Sequence, residues 1–391
     1  MTLTKALGQF IADLSPNRLP DEAVRIARMG FIDCIGTMIV GRTEPCAQIL
    51  KGVLAPGTGP ATLYFSGEQS TGPEAGWING TAAHALDYDD VSLRGHPSTV
   101  LAPAILAEAE VLGATGRDML VAYIAGYETW AELVRRDVPM YHQKGFHPTG
   151  IFGAVGAAAA CAKLRKLDAN LTAIAIAIGA SQASGIMSNF GTMTKPFHAG
   201  KAAHAGIMAA RLAEAGLTAN TDALEHPQGF LSAVSPENNP DRAGDGKLGE
   251  DWAIIRHGLS IKKYPACYGT HRAIDAMLDL VGAHPVKPED VRKVSVHFSK
   301  LTSSVLRNRQ PDTGLAAKFS MEFAMASGLI AHRVSLAELS DPFVQRKDVQ
   351  DMMQLVERDL TDETDEANPG SAPWEQVKIE LVSGQVLESE R

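Results

Sequence analysis

The sequence has 391 residues, with 36 Lys and Arg against 45 Asp and Glu, a formal net charge of −9. That balance excludes non-specific nucleic-acid binding, which needs a basic surface to displace phosphate counterions. Hydrophobic residues at 45% and charged residues at 21% exclude a disordered chain, and the length suggests two or three domains. Fifty-six alanines and 36 glycines stand against an aromatic fraction of 6%. Ala is the best helix former and small side chains let helices approach closely, so the composition predicts a tightly packed helical body. Cys34, Cys46, Cys161 and Cys267 are scattered, with no C-x-x-C pair. They read as reduced thiols of a cytoplasmic protein. The N-terminus lacks the apolar core of a signal peptide. The most apolar stretch, Ile151 to Ala162, is too short to span a bilayer.

In chain order, residues 1–55 predict two or three amphipathic helices, one starting at Pro20-Asp21-Glu22. Residues 56–76 are Gly/Pro/Ser/Thr-rich and predict a loop. Helices follow at Trp77–Asp87, Val100–Gly113 and Asp118–Val134, the last capped by Thr115 or Asp118. Between Ile151 and Ala219, 21 of 69 residues are Ala. Three helices are expected there, at about 150–165, 168–184 and 198–216, with Asp168 as a cap and Gly216 as a stop. Pro227–Gly249 reads as a linker or exposed loop. After about Trp252 the pattern changes. Val291–Phe298 alternates as a strand, and Val377–Val382 with Gln385–Leu387 predicts a hairpin through Ser383-Gly384. Helices are expected near Ala317–Ala331, Ser335–Leu339 and Asp348–Arg358. The fold class is therefore mainly α: a large all-helical domain over residues 1–255 and a smaller α+β domain over 256–391.

Four polar clusters punctuate this body. Asp87-Tyr88-Asp89-Asp90 with His96 suits an acid/base or metal site; the alternative is a solvated acidic loop with a surface histidine. His147 precedes a Gly/Ala helix, where the helix N-terminus disfavours its charged form; it suits a neutral base, or a plain helix cap. Lys195 at another helix start is a carboxylate anchor or catalytic base, or a snorkelling surface lysine. Lys262, Lys263, Tyr264, Cys267, Tyr268 and His271 gather at the domain junction, either as a ligand site or as a packed linker. Gly244, Gly246 and Gly249 match Gly-x-Gly-x-x-Gly, but no strand precedes them, so a dinucleotide site is not expected. No P-loop and no Gly-x-Ser-x-Gly elbow occurs.

The segments HALDYDDVSLRGHPSTVLAPAILAEAE, GFHPTGIFGAVGAAAA, SQASGIMSNFGTMTKPFHAGKAAHAG and IKKYPACYGTHRAIDA occur in that order. Together they resemble the MmgE/PrpD family, as does the later AAKFSMEFAMASGLIAHRVSLAEL. The resemblance spans nearly the whole chain. It implies a helical domain with an α+β lid, a homodimer, and no metal, nucleotide or organic cofactor. It also implies chemistry on small di- or tricarboxylates: dehydration of 2-methylcitrate, decarboxylation of cis-aconitate, or epimerisation of iminodisuccinate. Each reaction passes through or near a carbanion beside a carboxylate, and so needs cationic clamps and acid/base groups. By resemblance, His147 and Lys195 are the base and acid, His96 assists, and Asp87 orients a cation. Lys262 holds a substrate carboxylate, with His271, Cys267 and Tyr141 as further substrate contacts.

Three departures bear on the reaction. The decarboxylase-like pattern has Thr, His and Tyr where Val91, Cys267 and Phe323 stand here. The motifs NFGTMTKP, RGHPS and P-x-C-Y-x-x-H look closer to iminodisuccinate epimerase, so epimerase-like chemistry is expected first and a 2-methylcitrate-dehydratase-like hydro-lyase second. Family members commonly return C-terminal helices to the helical domain after the lid hairpin; with Arg391 as the last residue, those helices are expected to be absent. Two other classes compete: a non-catalytic family member, and a metal-dependent hydrolase built on Asp87–Asp90, His96 and His147.

Overall fold

The computed structural model describes residues 1–64, 66–137, 141–244, 248–365 and 370–391. They form two compact units, residues 1–189 with 193–261, and residues 190–192 with 262–391. The Gly-x-Gly-x-x-Gly match includes Gly246, which lies outside the described residues.

The first unit is a helical bundle. Its helices are α1 (Leu3–Asp13), α2 (Asp21–Gly41), α3 (Pro45–Leu54), α4 (Gly72–His84), α5 (Ser98–Leu112), α6 (Gly116–Val134), α7 (Pro148–Leu164), α8 (Ala169–Ser181), α9 (Thr194–Glu214), and the short α10 (Phe230–Val234) and α11 (Ala253–His257). Several boundaries follow directly from capping. Thr115 and Asp118 form a reciprocal capping box at the start of α6. The Asp168 side chain accepts from Leu171 N at the start of α8. Gly216, at φ +95°, ends α9. One stretch departs from the all-helical expectation. Within the predicted 56–76 loop, β1 (Ala61–Leu63) pairs antiparallel with β2 (Glu68–Ser70). The Gly/Pro/Ser content obscured two three-residue strands, and the Asn79 side chain clasps the hairpin at the Thr62 carbonyl and Tyr64 N.

α4, α7 and α9 share the most extensive faces of the bundle. Their contact depends on missing side chains. A Cβ on Gly80 of α4 would lie 2.9 Å from Gly200 Cα of α9, and one on Gly200 would overlap the Trp77 carbonyl oxygen. At Gly206 a Cβ would overlap the Ala157 side chain. The three helices are thus in backbone contact, and α7 is buried from Pro148 to Ala162. At the other end of the bundle, buried Glu108 of α5 pairs with Arg165 at 2.6 Å and with Arg211 of α9 at 2.5 Å. Buried Glu128 of α6 accepts from Ala253 N and Ile254 N, closing the start of α11.

The second unit is α+β. It contains α12 (His271–Ala283), β3 (Val291–Ser299), α13 (Lys300–Val305), α14 (Gly314–Ala317), α15 (Met321–Ala331), α16 (Asp341–Val344), α17 (Lys347–Gln354), β4 (Val356–Thr361), β5 (Gln376–Leu381) and β6 (Val386–Glu390). The sheet order is β4-β3-β5-β6, with β3–β4 parallel and the other pairs antiparallel. The predicted strand and hairpin are β3 and β5–β6, and Gly384 takes φ +89° in the turn. Two expectations are corrected. Ser335–Leu339 is a turn. The helix expected at Asp348–Arg358 ends at Gln354 and is followed by β4, because Val356 pairs with Val294 and continues the sheet. A buried ion pair at 2.7 Å, Arg358 of β4 with Glu322 of α15, ties helix to sheet.

The α4–α9 crossing generates a prediction. Gly200→Ala should destabilise the protein by about 1–3 kcal/mol through overpacking. Gly36→Ala, on the exposed side of α2 with open space around it, should be neutral or stabilising by up to about 1 kcal/mol. Chemical denaturation of the two variants distinguishes the sites.

Candidate active site

The ends of α4, α5, α7 and α9 carry one cluster of charged and aromatic nitrogen groups. His84 is the last residue of α4, and Asp87, Asp89 and Asp90 follow it in the loop to α5. His96 precedes α5, His147 caps α7, and Lys195 is the second residue of α9. The crossing of α4 and α9 at Gly80 and Gly200 places His84 and Lys195 on neighbouring turns. Lys195 Nζ donates to Asp87 Oδ1 at 2.7 Å and lies 2.9 Å from His84 Nε2. His84 Nδ1 lies 2.8 Å from Asp89 Oδ1. His96 Nδ1 lies 3.0 Å from Asp89 Oδ2 and 3.0 Å from the Asp90 carbonyl oxygen. His147 Nδ1 faces His198 Nδ1 at 3.2 Å, and its ring stacks 5.9 Å from that of His84.

Burial decides between the alternative readings of the individual residues. Asp87, Asp89 and Asp90 are buried, so the acidic segment is not a solvated loop. Lys195 is 4% exposed and is not a snorkelling lysine, and His147 is 1% exposed. Asp87 holds a left-handed backbone, φ +50°, which Asp tolerates better than most residues but at a cost of about 1 kcal/mol. Strain of that kind concentrates at functional sites.

The electrostatics follow from the same burial. Desolvation, reinforced by the Lys195 charge, lowers His147 well below the ordinary histidine value. Burial lowers His84 to about 4 against the opposing pull of Asp89, and His198 and His142 also fall to about 4. These rings are neutral at pH 7. Burial alone would raise Asp89, but the facing His84 and His96 hold its carboxyl well below the usual range. Burial raises Asp90 well above its usual value, with Asp33 and Asp89 adding to the rise. It accepts from Ser98 Oγ, which in turn meets the Tyr123 hydroxyl at 2.6 Å.

His84, Asp87, Asp89 and His96 offer ligand atoms within 4.8 Å of one another, a spacing that suits a cation. The Lys195 ammonium already sits against two of these four side chains. A divalent ion bound there would face that charge, so the donor set fits a protein-held ammonium better than a metal.

The structure therefore brings together Asp87, His96, His147 and Lys195. Tyr141 lies in the same unit but packs edge-on against Phe152, with Arg94 over its ring, and its hydroxyl faces the Leu133 carbonyl. Lys262, Cys267 and His271 belong to the second unit. Lys262 is buried, Cys267 N donates to Lys318 O, and His271 packs between Tyr264 and Tyr268. Buried Lys318, whose Nζ donates to the Pro265 carbonyl, was not singled out from sequence. Neither were His84 and His198. The available signal was a histidine at each end of the Gly-bearing helix pair, four residues after Gly80 and two before Gly200.

The pH dependence has a definite sign. The unfolded chain binds protons at these histidines near pH 6.5, while the folded chain resists until about 4, so stability falls as pH drops through that window. Asp90, Glu128, raised to about 7 by burial, and Glu375, raised to about 6 by burial, work in the opposite direction but are fewer than the buried histidines. The thermal midpoint should fall between about pH 7 and about pH 4.5. His84→Asn should make that fall shallower.

The profile of the MmgE/PrpD N-terminal domain matches residues 5–243, and that of the MmgE/PrpD C-terminal domain matches residues 264–391. The chain is 27% identical to the cis-aconitate decarboxylase of Mus musculus, over 91% of this chain and 75% of that protein. It is 27% identical to the enzyme of the same name from Homo sapiens, over 91% and 76%. The Aspergillus terreus enzyme is 24% identical over 100% of this chain and 87% of its own length. Among the described residues, no helix is long and apolar enough to cross a membrane. With two domain profiles that together span most of its length, the chain belongs to the MmgE/PrpD family.

Proposed function

We propose that this protein is an enzyme of lyase or isomerase type that moves a proton on the carbon beside a carboxylate of a small di- or tricarboxylate. The observation that carries this reading is the buried cluster itself. A lysine charge held by Asp87 stands among histidines kept neutral by burial, on helix ends fixed by backbone contact. Neutral His147 is the base: the C–H bond breaks and its proton goes to a ring nitrogen. Lys195 is the acid, and its charge lowers the cost of the carbanion. His96 assists, and Asp87 orients the Lys195 ammonium. Lys262 and His271, with Cys267, serve the substrate carboxylates, and the working unit is a homodimer.

Within that class we favour epimerisation. Abstraction by one group and return of a proton from the other inverts a single carbon, with no bond to carbon lost overall. Two polar contacts of the decarboxylase-like pattern are replaced by apolar side chains. Val91 is half-buried beside Ser260, and Phe323 lies in the core of the second unit, edge-on to Phe343. Decarboxylation is the second reading, supported by the names of the relatives at 24–27% identity. There the C–C bond to a carboxylate breaks, CO₂ leaves, and the carbanion takes a proton.

Proton NMR in D₂O with citrate, methylcitrate, cis-aconitate and iminodisuccinate tests the proposal. Deuterium wash-in without loss of water or CO₂ is expected. Loss of CO₂ would favour decarboxylation, loss of water a hydro-lyase, and no exchange on any substrate would refute the enzyme reading for this class. Lys195→Met and His147→Gln should each lower turnover by about 10²-fold or more while leaving the fold intact. Elemental analysis of active protein should find no stoichiometric metal; activity that tracks a bound metal would reinstate the hydrolase reading.

A further inference from the structure

His84 and Asp89 are buried in the first unit and take no part in the proton transfer proposed above. Donor and acceptor accounting fixes what they do. Asp89 is ionised, so both of its oxygens only accept. Oδ1 lies 2.8 Å from His84 Nδ1, so that nitrogen carries the hydrogen. The opposite nitrogen of the same ring, Nε2, lies 2.9 Å from Lys195 Nζ. An ammonium only donates, so Nε2 presents its lone pair. A neutral ring protonated at Nδ1 is the form that satisfies both neighbours.

His96 obeys the same logic. Its Nδ1 lies 3.0 Å from the Asp90 carbonyl oxygen, which cannot donate. The ring N–H is aligned on that carbonyl, while Asp89 Oδ2, at 3.0 Å, faces the ring as a charge. His96 is therefore also protonated at Nδ1, and its Nε2 lies on the Asp87 side, 3.8 Å from Oδ1.

We propose that Asp89 is a positioning residue that sets the tautomer of His84, and through that ring holds Lys195 Nζ beside Asp87. The proposal rests on Lys195 acting in the reaction proposed above. Asp89 Oδ1 takes the His84 hydrogen, while Oδ2 faces His96 without a hydrogen bond and leaves that ring to the Asp90 carbonyl. An amide of the same shape has one acceptor and one donor. With its NH₂ toward His96, it meets an N–H already fixed by the Asp90 carbonyl. With its NH₂ toward His84, it drives the hydrogen to Nε2, where it points at the Lys195 ammonium. In either orientation Asp89→Asn leaves one donor facing another, in a site with no water-exposed alternative for His84.

The test has two arms. The first uses long-range proton–nitrogen correlation spectra of ¹⁵N-histidine-labelled full-length protein without substrate, with signals assigned by their loss in His84→Asn and His96→Asn. Both rings are expected to be protonated at Nδ1. In Asp89→Asn the His84 ring should lose that signature, because an amide turned the other way sets its NH₂ against the fixed His96 N–H, and His96 should keep it. A His84 ring protonated at Nε2 in the unmodified protein overturns the proposal, whether or not the variant folds. The second arm reads turnover on whichever polycarboxylate shows exchange. Asp89→Asn should lower kcat by about 10²–10⁴-fold with KM changed only a few-fold. An unchanged kcat overturns the positioning role. If no polycarboxylate is turned over, the proposed function fails, and the spectra alone decide the tautomers.

Discussion

The constraint on which the rest depends is the contact between α4 and α9 at Gly80 and Gly200. Backbones that meet without side chains bring the ends of those helices within reach of short polar groups. The Lys195 and His84 side chains then span the remaining gap at hydrogen-bond distance. The alanine excess has a local meaning in this light. It is concentrated in α7, α8 and α9, whose close packing fixes the direction of each helix end. A rigid end is what a pair of acid/base groups requires, since small misplacements of reacting groups are costly in rate.

Ion pairs do a complementary job at the opposite end of the bundle. Glu108 sits fully buried between Arg165 and Arg211. Buried pairs are poor sources of net stability, but they penalise misregistered packing because an unpaired buried charge is expensive. Between glycine contacts at one end and paired charges at the other, the helices have little freedom to slide. The second unit uses the same device on a smaller scale, with Arg358 and Glu322 locking β4 against α15.

Much of this was legible in the sequence, for identifiable reasons. Helices with strong caps, such as α6 and α8, have both their cap and their apolar pattern within a few residues. β3 and the β5–β6 turn advertise themselves by alternation and by Ser383-Gly384. β4 escaped because its Val356 and Leu360 follow an amphipathic helix without a break and mimic its next turn. The β1–β2 pair escaped because three-residue strands in a Gly/Pro-rich segment carry too little pattern. The acids and bases of the cluster stood out where a polar group interrupts a small-residue run, as at His147 and Lys195. His84 did not, because what gives it meaning is a lysine 111 residues away. Tautomers lie further still from sequence, since they are decided by which neighbours can donate.

The left-handed backbone at Asp87 limits how this position can diversify. Asn shares its shape and its tolerance of that conformation, and Gly tolerates it without a side chain. Glu keeps the charge but suits the backbone poorly, and its longer stem would displace the carboxylate from the lysine. The partner of Lys195 is thus held by backbone conformation as well as by charge. Divergence in reaction or substrate among chains that share this loop is therefore channelled to other positions, where the backbone accepts any side chain.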